Sequence, residues 1–215
     1  MTRKLITFLL IFLLSLSLIV IGASEGAVPA SEGVEASYEA STMKLLRHEG
    51  TVDIFDITGV PRFLLEGVRF LSGESMRTGP DGSASVGLDD TKIVSLDHDT
   101  YVQFIQEDNH MQLNLLEGEI FLDVSAKLDE NASFDIQTTT MTVGIRGTII
   151  SASSRPDNNG KTRTTIAVYE GGGQVNFKDS NGTNRAVSLE PGQQISVETD
   201  TPASGSSLPM KSPPA

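Results

Sequence analysis

The sequence predicts an all-β fold, and three observations carry that expectation. Apolar residues fall at every second position in segment after segment, as in Ile120, Leu122 and Val124, or Val143, Ile145 and Ile149. That period belongs to a strand with one buried face. β-branched residues are dense between Leu116 and Val175, and helix-type spacing is absent there. Each strand-like piece also meets a glycine, where a residue without Cβ turns the chain at low cost. The expected architecture is a single domain of stacked short strands and hairpins, either β-solenoid-like or an irregular β-sandwich.

The elements follow in order. Thr2-Arg3-Lys4 is a positive n-region, and the unbroken apolar run Leu5 to Ile21 follows it, before a stretch of small residues from Gly22 to Ala30. This is the pattern of an export signal over 1–30, with cleavage after Ala30, Ala23 or Ser24. The rival expectation is an uncleaved inner-membrane anchor at residues 5–21, which is about the shortest length that spans a bilayer. Either reading exports the remainder, to the periplasm or beyond the cell. Residues 31–42 are Ser/Glu/Ala-rich without periodicity and read as a disordered lead-in.

The β pattern starts at Met43. Lys44 to Ile57 gives two short strands around Gly50, and Thr58-Gly59-Val60-Pro61 is a turn whose proline bars a central strand position. Leu64 to Gly67 and Val68 to Ser75 continue the pattern up to Met76-Arg77-Thr78-Gly79. Pro80-Asp81-Gly82 is a turn, with Pro presetting φ and Gly accepting a positive one. Ala84–Leu88, Lys92–Leu96 and Tyr101–Ile105 alternate again. Met111–Leu115 leads into Leu116–Val124, then Phe134–Thr139, then Met141–Ile150 as one piece. Residues 155–160 and 179–182 read as hairpin loops, and Gln194–Val197 closes the set. Residues 43–198 form the expected domain, and the Pro/Ser-rich 199–215 a disordered tail. A weak repeat of apolar, acidic, glycine recurs at Leu65-Glu66-Gly67, Leu116-Glu117-Gly118 and Tyr169-Glu170-Gly171, as stacked β units or successive hairpins would give.

Composition limits the function. The net charge is -12 and the pI about 4.6, which speaks against nucleic acid, because a binder neutralises phosphates with clustered Lys and Arg. With no cysteine, disulfides, thiolate metal sites and a cysteine nucleophile are excluded. His48, His98 and His110 lie in separate segments and suggest no zinc site. Asp89, Asp90, Asp97, Asp99, Glu107 and Asp108 could in principle hold a hard cation, but they fall where turns are expected and Asp favours turns. No Gly-x-Ser-x-Gly is present, and Gly171-Gly172-Gly173 precedes a strand rather than a helix, so it offers no phosphate cradle. Arg146-Gly147-Thr148 reads either as a bulge whose arginine points outward or pairs with a nearby carboxylate, or as an anion- or partner-facing arginine. No catalytic residue, cofactor or metal is expected.

With these residues set out, the chain resembles the FecR domain family. The matching features are Gly50-x-Val52, Leu64-Leu-Glu-Gly67, Leu71-x-Gly-Glu74 with Met76-Arg-Thr-Gly79, Ser83-Ala-Ser-Val-Gly-Leu88, Leu115-Leu-Glu-Gly-Glu-Ile-Phe121, Phe134-Asp-Ile-Gln-Thr138, Val143-Gly-Ile-Arg-Gly-Thr148, Val168-Tyr-Glu-Gly171 with Gln174-Val175, and Leu189-x-Pro-Gly-Gln193. The resemblance implies an all-β periplasmic domain. The best-known members are inner-membrane regulators that carry a signal from an outer-membrane siderophore transducer to a cytoplasmic sigma factor. That task needs a cytoplasmic segment, and only Met1 to Lys4 precede the apolar run here, so a secreted single-domain form is expected. The function expected is a non-enzymatic binding module for cell-envelope signalling or assembly, with an envelope protein as partner and membrane contact only through an uncleaved leader. An exposed strand edge would be the means. A carbohydrate- or peptidoglycan-binding domain is the alternative. The candidate partner-binding residues are Arg77, Thr78, Gly79, Glu117, Gly118, Arg146, Gly147, Thr148, Glu170 and Gly171.

Overall fold

A computed structural model of the chain describes residues 42–157, 159–179 and 182–200. The leader, most of the lead-in and the tail from 201 onward lie outside the described residues. No helix occurs among those described. The strands are β1 (Lys44–Glu49), β2 (Val52–Phe55), β3 (Pro61–Arg62), β4 (Ser75–Thr78), β5 (Ser83–Asp89), β6 (Lys92–Leu96), β7 (Tyr101–Glu107) and β8 (His110–Val124). They continue as β9 (Ser133–Gln137), β10 (Met141–Ile145), β11 (Ile149–Pro156), β12 (Lys161–Glu170), β13 (Gly173–Lys178), β14 (Asn184–Leu189) and β15 (Gln194–Asp200).

One strand joins everything. The first half of β8 pairs with β7 and β9, and its second half with β6 and β11. The strand network therefore divides at β8 into two sheets. The longer runs β3-β2-β4-β7-β8-β9-β10-β13-β14. The shorter runs β1-β5-β6-β8-β11-β12-β15. Every pairing is antiparallel except β8 with β9. The buried faces of both sheets supply one continuous apolar cluster, including Met76, Phe104, Leu113 and Val143 from one and Val86, Leu122, Ile150 and Ile166 from the other. Antiparallel sheets facing each other across one core make an irregular sandwich, with a strand that switches sheets at the corner. A solenoid would stack its coils in parallel register, so that alternative falls.

The division occurs at Gly118, whose φ of +96° is left-handed. A side chain there would also collide with the neighbouring corner, since a Cβ would lie 2.4 Å from Thr100 Cα. Chain length demands the bend as well. Straight, β8 would reach about 46 Å at the usual rise per residue. The connection from Val124 to Ser133 spans only about 30 Å fully extended. It must nonetheless bring Ser133 beside His110 for the parallel pairing, which is feasible only if β8 folds back on itself.

The glycine steps of the sequence are largely the places where the chain changes sheet. Gly50 separates β1 from β2, Gly147 separates β10 from β11, Gly171 separates β12 from β13, and Gly192 separates β14 from β15, all with positive φ. The apolar-acidic-glycine repeat marks some of these corners and not coils of a solenoid.

Three expected elements differ. Residues 63–74 are irregular, not strands; Leu45 N donates to Val68 O and Phe70 N to Met43 O, so this segment lies along the free edge of β1 by isolated bonds. The piece Met141–Ile150 is broken at Arg146–Thr148, because β10 belongs to one sheet and β11 to the other. The pieces Met111–Leu115 and Leu116–Val124 form one strand, β8. Pro61 sits in β3, at the edge of the longer sheet, where its missing N–H costs no ladder bond.

Candidate functional site

The sequence-predicted residues fall at two corners. At the first, Arg77, Thr78, Glu117, Arg155, Asp99, Thr100 and Tyr101 line a groove of about 410 Å³. Thr78 is buried and acts within the fold: its hydroxyl donates to Asp97 O at 2.6 Å and accepts from Thr100 N at 2.9 Å. Gly79 N donates to Thr51 O at 2.8 Å. Arg77 is exposed and lies over the Tyr101 ring, 4.5 Å from its centroid. Glu117 is exposed opposite Tyr101 in the β7–β8 register.

At the second corner, Arg146, Gly147, Thr148, Glu170 and Gly171 line a groove of about 540 Å³ with Lys127 and Asp123. Thr148 is buried and its hydroxyl donates to Glu170 O. A Cβ on Gly171 would lie 2.3 Å from Gly147 O, so these two glycines permit the corners to touch. Arg146 is exposed in the bend between β10 and β11, not inside a strand. The ten residues therefore divide by chemistry. The threonines and glycines build corners, and Arg77, Glu117, Arg146 and Glu170 are exposed charges that a partner can reach.

A further surface was not singled out from the sequence. Polar residues of the longer sheet fall into register across it: Gln103, itself buried, opposite Asn114, Asn114 opposite Gln137, Gln137 opposite Thr142, and Thr142 opposite Asn176. The amides bond to one another. Asn114 Nδ2 donates to Gln103 Oε1 at 3.0 Å, and Gln112 Nε2 to Gln137 Oε1 at 2.7 Å. The result is a hydrogen-bonding face with few charges on an acidic molecule. Beside it lies a groove of about 600 Å³ that includes Asp135, Gly144, Arg146, Gln174 and Glu190. The outward positions of the alternating strands were the signal that could have revealed this face.

At His110, Ser133 and Asp135 the geometry offers no relay for covalent catalysis. His110 Nδ1 lies 2.7 Å from Ser133 Oγ and 3.9 Å from Asp135 Oδ2. Serine and carboxylate thus face the same ring nitrogen, whereas a triad needs one on each. Asp135 is nonetheless perturbed: burial pushes its carboxyl above the usual carboxylate range, against the pull of His110. The acidic stretch shows turn chemistry. Asp89 Oδ1 accepts from Thr91 N at 2.8 Å, and Asp99 and Asp108 adopt positive φ. No group of three or more His, Asp or Glu with metal-holding geometry occurs among the described residues.

Each sheet also ends in an open edge: among the described residues β14 pairs only with β13 in the longer sheet and β15 only with β12 in the shorter. Five of the six residues of β14 are exposed, so it offers a strand edge together with both of its faces.

Comparison with known proteins gives one family. Residues 74–172 match the family model described as FecR protein. No curated protein matches the chain. Two crystal structures of a candidate anti-sigma factor from Parabacteroides distasonis ATCC 8503 are similar at 18% identity, covering 60% of this chain and 60% of that chain, with a TM-score of 0.47.

Proposed function

We propose, from the match of residues 74–172 to the FecR family model, that the chain is an exported, non-enzymatic signalling module of the cell envelope that acts by binding another envelope protein. The observation that carries this reading is the open edge of β14. Among the described residues its backbone is paired on one side only, and most of its side chains are exposed. An extended partner segment can add to such an edge, with main-chain hydrogen bonds giving affinity and side-chain pockets giving selectivity. Arg146 and Glu190, both lining the groove next to β13 and β14, supply charges of each sign for register. Cross-linking in a periplasmic extract tests the reading. A photoreactive residue at Ala186 should capture a discrete protein, and Val187→Lys, which places charge on the edge, should abolish capture while leaving the β-type circular dichroism intact. Capture that survives the substitution unchanged would remove β14 as the binding edge.

The amide face favours a second reading, a glycan or peptidoglycan binder, because the half-buried Gln112, Asn114 and Gln137 form a hydrogen-bonding plane, with the buried Gln103 behind Asn114 at its edge. Sugar platforms commonly add exposed aromatics, and this chain has no Trp and only three Tyr. Co-sedimentation with purified peptidoglycan separates the two readings.

A further inference from the structure

The connection between β2 and β4 presents apolar side chains that the fold does not use. Ile57, Val60, Phe63, Leu65 and Leu71 are all exposed, Phe63 at 91% and Leu65 at 66%. Single exposed apolar residues are ordinary, but several large ones in one connection mark an interaction surface. The connection is anchored. Leu64 and Val68 pack against the core. The buried Glu74 carboxylate pairs with Arg62 and accepts from Leu71 N at 3.0 Å. The exposed side chains are therefore held outward by a pinned loop.

Two observations indicate what covers them. The first is the path of the chain. Leu45 N donates to Val68 O and Phe70 N to Met43 O, so the described chain begins alongside this loop, with the apolar run Leu5–Ile21 some twenty residues earlier in the sequence. The second is charge. Residues 42–78 hold five basic and five acidic residues, whereas 79–200 hold eight basic and nineteen acidic ones. A molecule so acidic approaches an anionic bilayer by its neutral side. The loop itself holds Arg62, Arg69 and Glu66, and Lys44 lies beside it through its bridge with Arg69. Long basic side chains suit headgroup level while an aromatic ring enters the interface.

We propose that the 57–71 loop is a bilayer-contacting surface. Phe63 and Leu65 enter the interfacial zone of the membrane that receives Leu5–Ile21, and the flanking arginines face phospholipid headgroups. This goes with the reading in which residues 5–21 remain as an anchor, and it is independent of partner binding at β14, which lies at the opposite edge of the longer sheet from β3.

The chain contains no tryptophan, so Phe63→Trp introduces a unique reporter at a position too exposed to disturb folding. Val187→Trp on β14 serves as the control. Each full-length variant is reconstituted into phosphatidylethanolamine/phosphatidylglycerol vesicles with and without dibrominated acyl chains. The indole at 63 should emit further to the blue in vesicles and lose most of its intensity to the brominated lipid, and the indole at 187 should do neither. Water-like emission at 63 overturns the proposal. So does a blue shift that brominated lipid does not quench, which would indicate a second copy or another protein on the loop, and so does equal quenching at both positions.

Discussion

The Thr100 hydroxyl is bonded to both backbone groups of Glu119. It accepts from Glu119 N at 3.0 Å and lies 3.1 Å from Glu119 O, to which it can donate. Glu119 follows the bend at Gly118, so this side chain ties the β6–β7 corner to the point where β8 changes sheet. Thr100 is fully buried. Thr100→Val keeps the shape and removes the hydroxyl, leaving the Glu119 amide without that acceptor. A loss of about 2–3 kcal/mol is expected. Thr100→Ser retains the bond and should lose about 1 kcal/mol or less. Urea unfolding followed by circular dichroism measures both, and a larger loss for Thr100→Ser than for Thr100→Val would show that the methyl and not the hydroxyl matters.

Gly118 and Gly144 make opposite predictions. At Gly118 the φ is +96° and a Cβ would lie 2.3 Å from Thr100 Oγ1. Gly118→Ala should lose about 3–5 kcal/mol, by strain and overlap together. Gly144, inside β10, has no left-handed φ, and a Cβ would lie 3.4 Å from Asp135 Oδ1. Gly144→Ala should change stability by less than about 1 kcal/mol. Its effect belongs to the groove, whose lining the methyl would enter. The same unfolding measurement decides both, and a tolerated Gly118→Ala would contradict the bend.

How far the sequence foretold this can be judged residue by residue. Alternation at Ile120, Leu122 and Val124 identified buried positions, because a strand packing on one face must repeat every second residue. Gly118 was visible as a step, but not as a bend within one strand. A glycine that ends a strand and one that redirects it look alike in sequence, and the difference lies in which strands pair beyond it. For the same reason Arg146, flanked by Ile145 and Ile149, read as part of a strand. Residues 63–74 misled through their apolar content. Leu64, Val68 and Phe70 pack inward while Phe63, Leu65 and Leu71 face out, so the alternation of a strand is present, but only isolated backbone bonds join the segment to β1 and no ladder forms; that outward half is the surface assigned to the bilayer. The amide face was legible in principle, since register only aligned positions that alternation had already turned outward.

The Arg62–Glu74 pair should hold the 57–71 loop. Glu74 is 3% exposed, while the Arg62 side chain is 32% exposed. Removing the cation strands a buried carboxylate, but solvent reaches the arginine side and moderates the penalty. Arg62→Met should destabilise by about 2 kcal/mol. Adding Glu74→Gln should recover part of that, because the neutral amide can still accept from Leu71 N. Hydrogen exchange at the Leu71 amide should quicken in the single variant and slow again in the double one. Unchanged exchange would mean that the loop is held by Leu64 and Val68 alone.

Asp135 gives the fold a pH dependence of unusual sign. Burial raises its carboxyl above the ordinary range, and His110 only partly offsets this. Between the unfolded value and the higher folded one, the native state holds more protons than the unfolded state, so stability falls as pH rises through that window. The exposed turn carboxylates act oppositely. The bond from Thr58 to Asp56 and that from Lys161 N to Asp157 hold those groups below the ordinary range, so their contribution is present above the unfolded value and fades as pH falls. Asp135→Asn removes this raised group and leaves the turn carboxylates in place. The variant should be more stable than the parent at pH 7, and the advantage should disappear below about pH 4, where the aspartate is protonated in both states. The Asp135 side chain is 32% exposed, so the gain should be modest. Paired thermal melts from pH 3 to pH 8 would show the two curves converging on the acid side. A constant offset across that range would mean that the substitution acts through packing beside Gly144 rather than through charge.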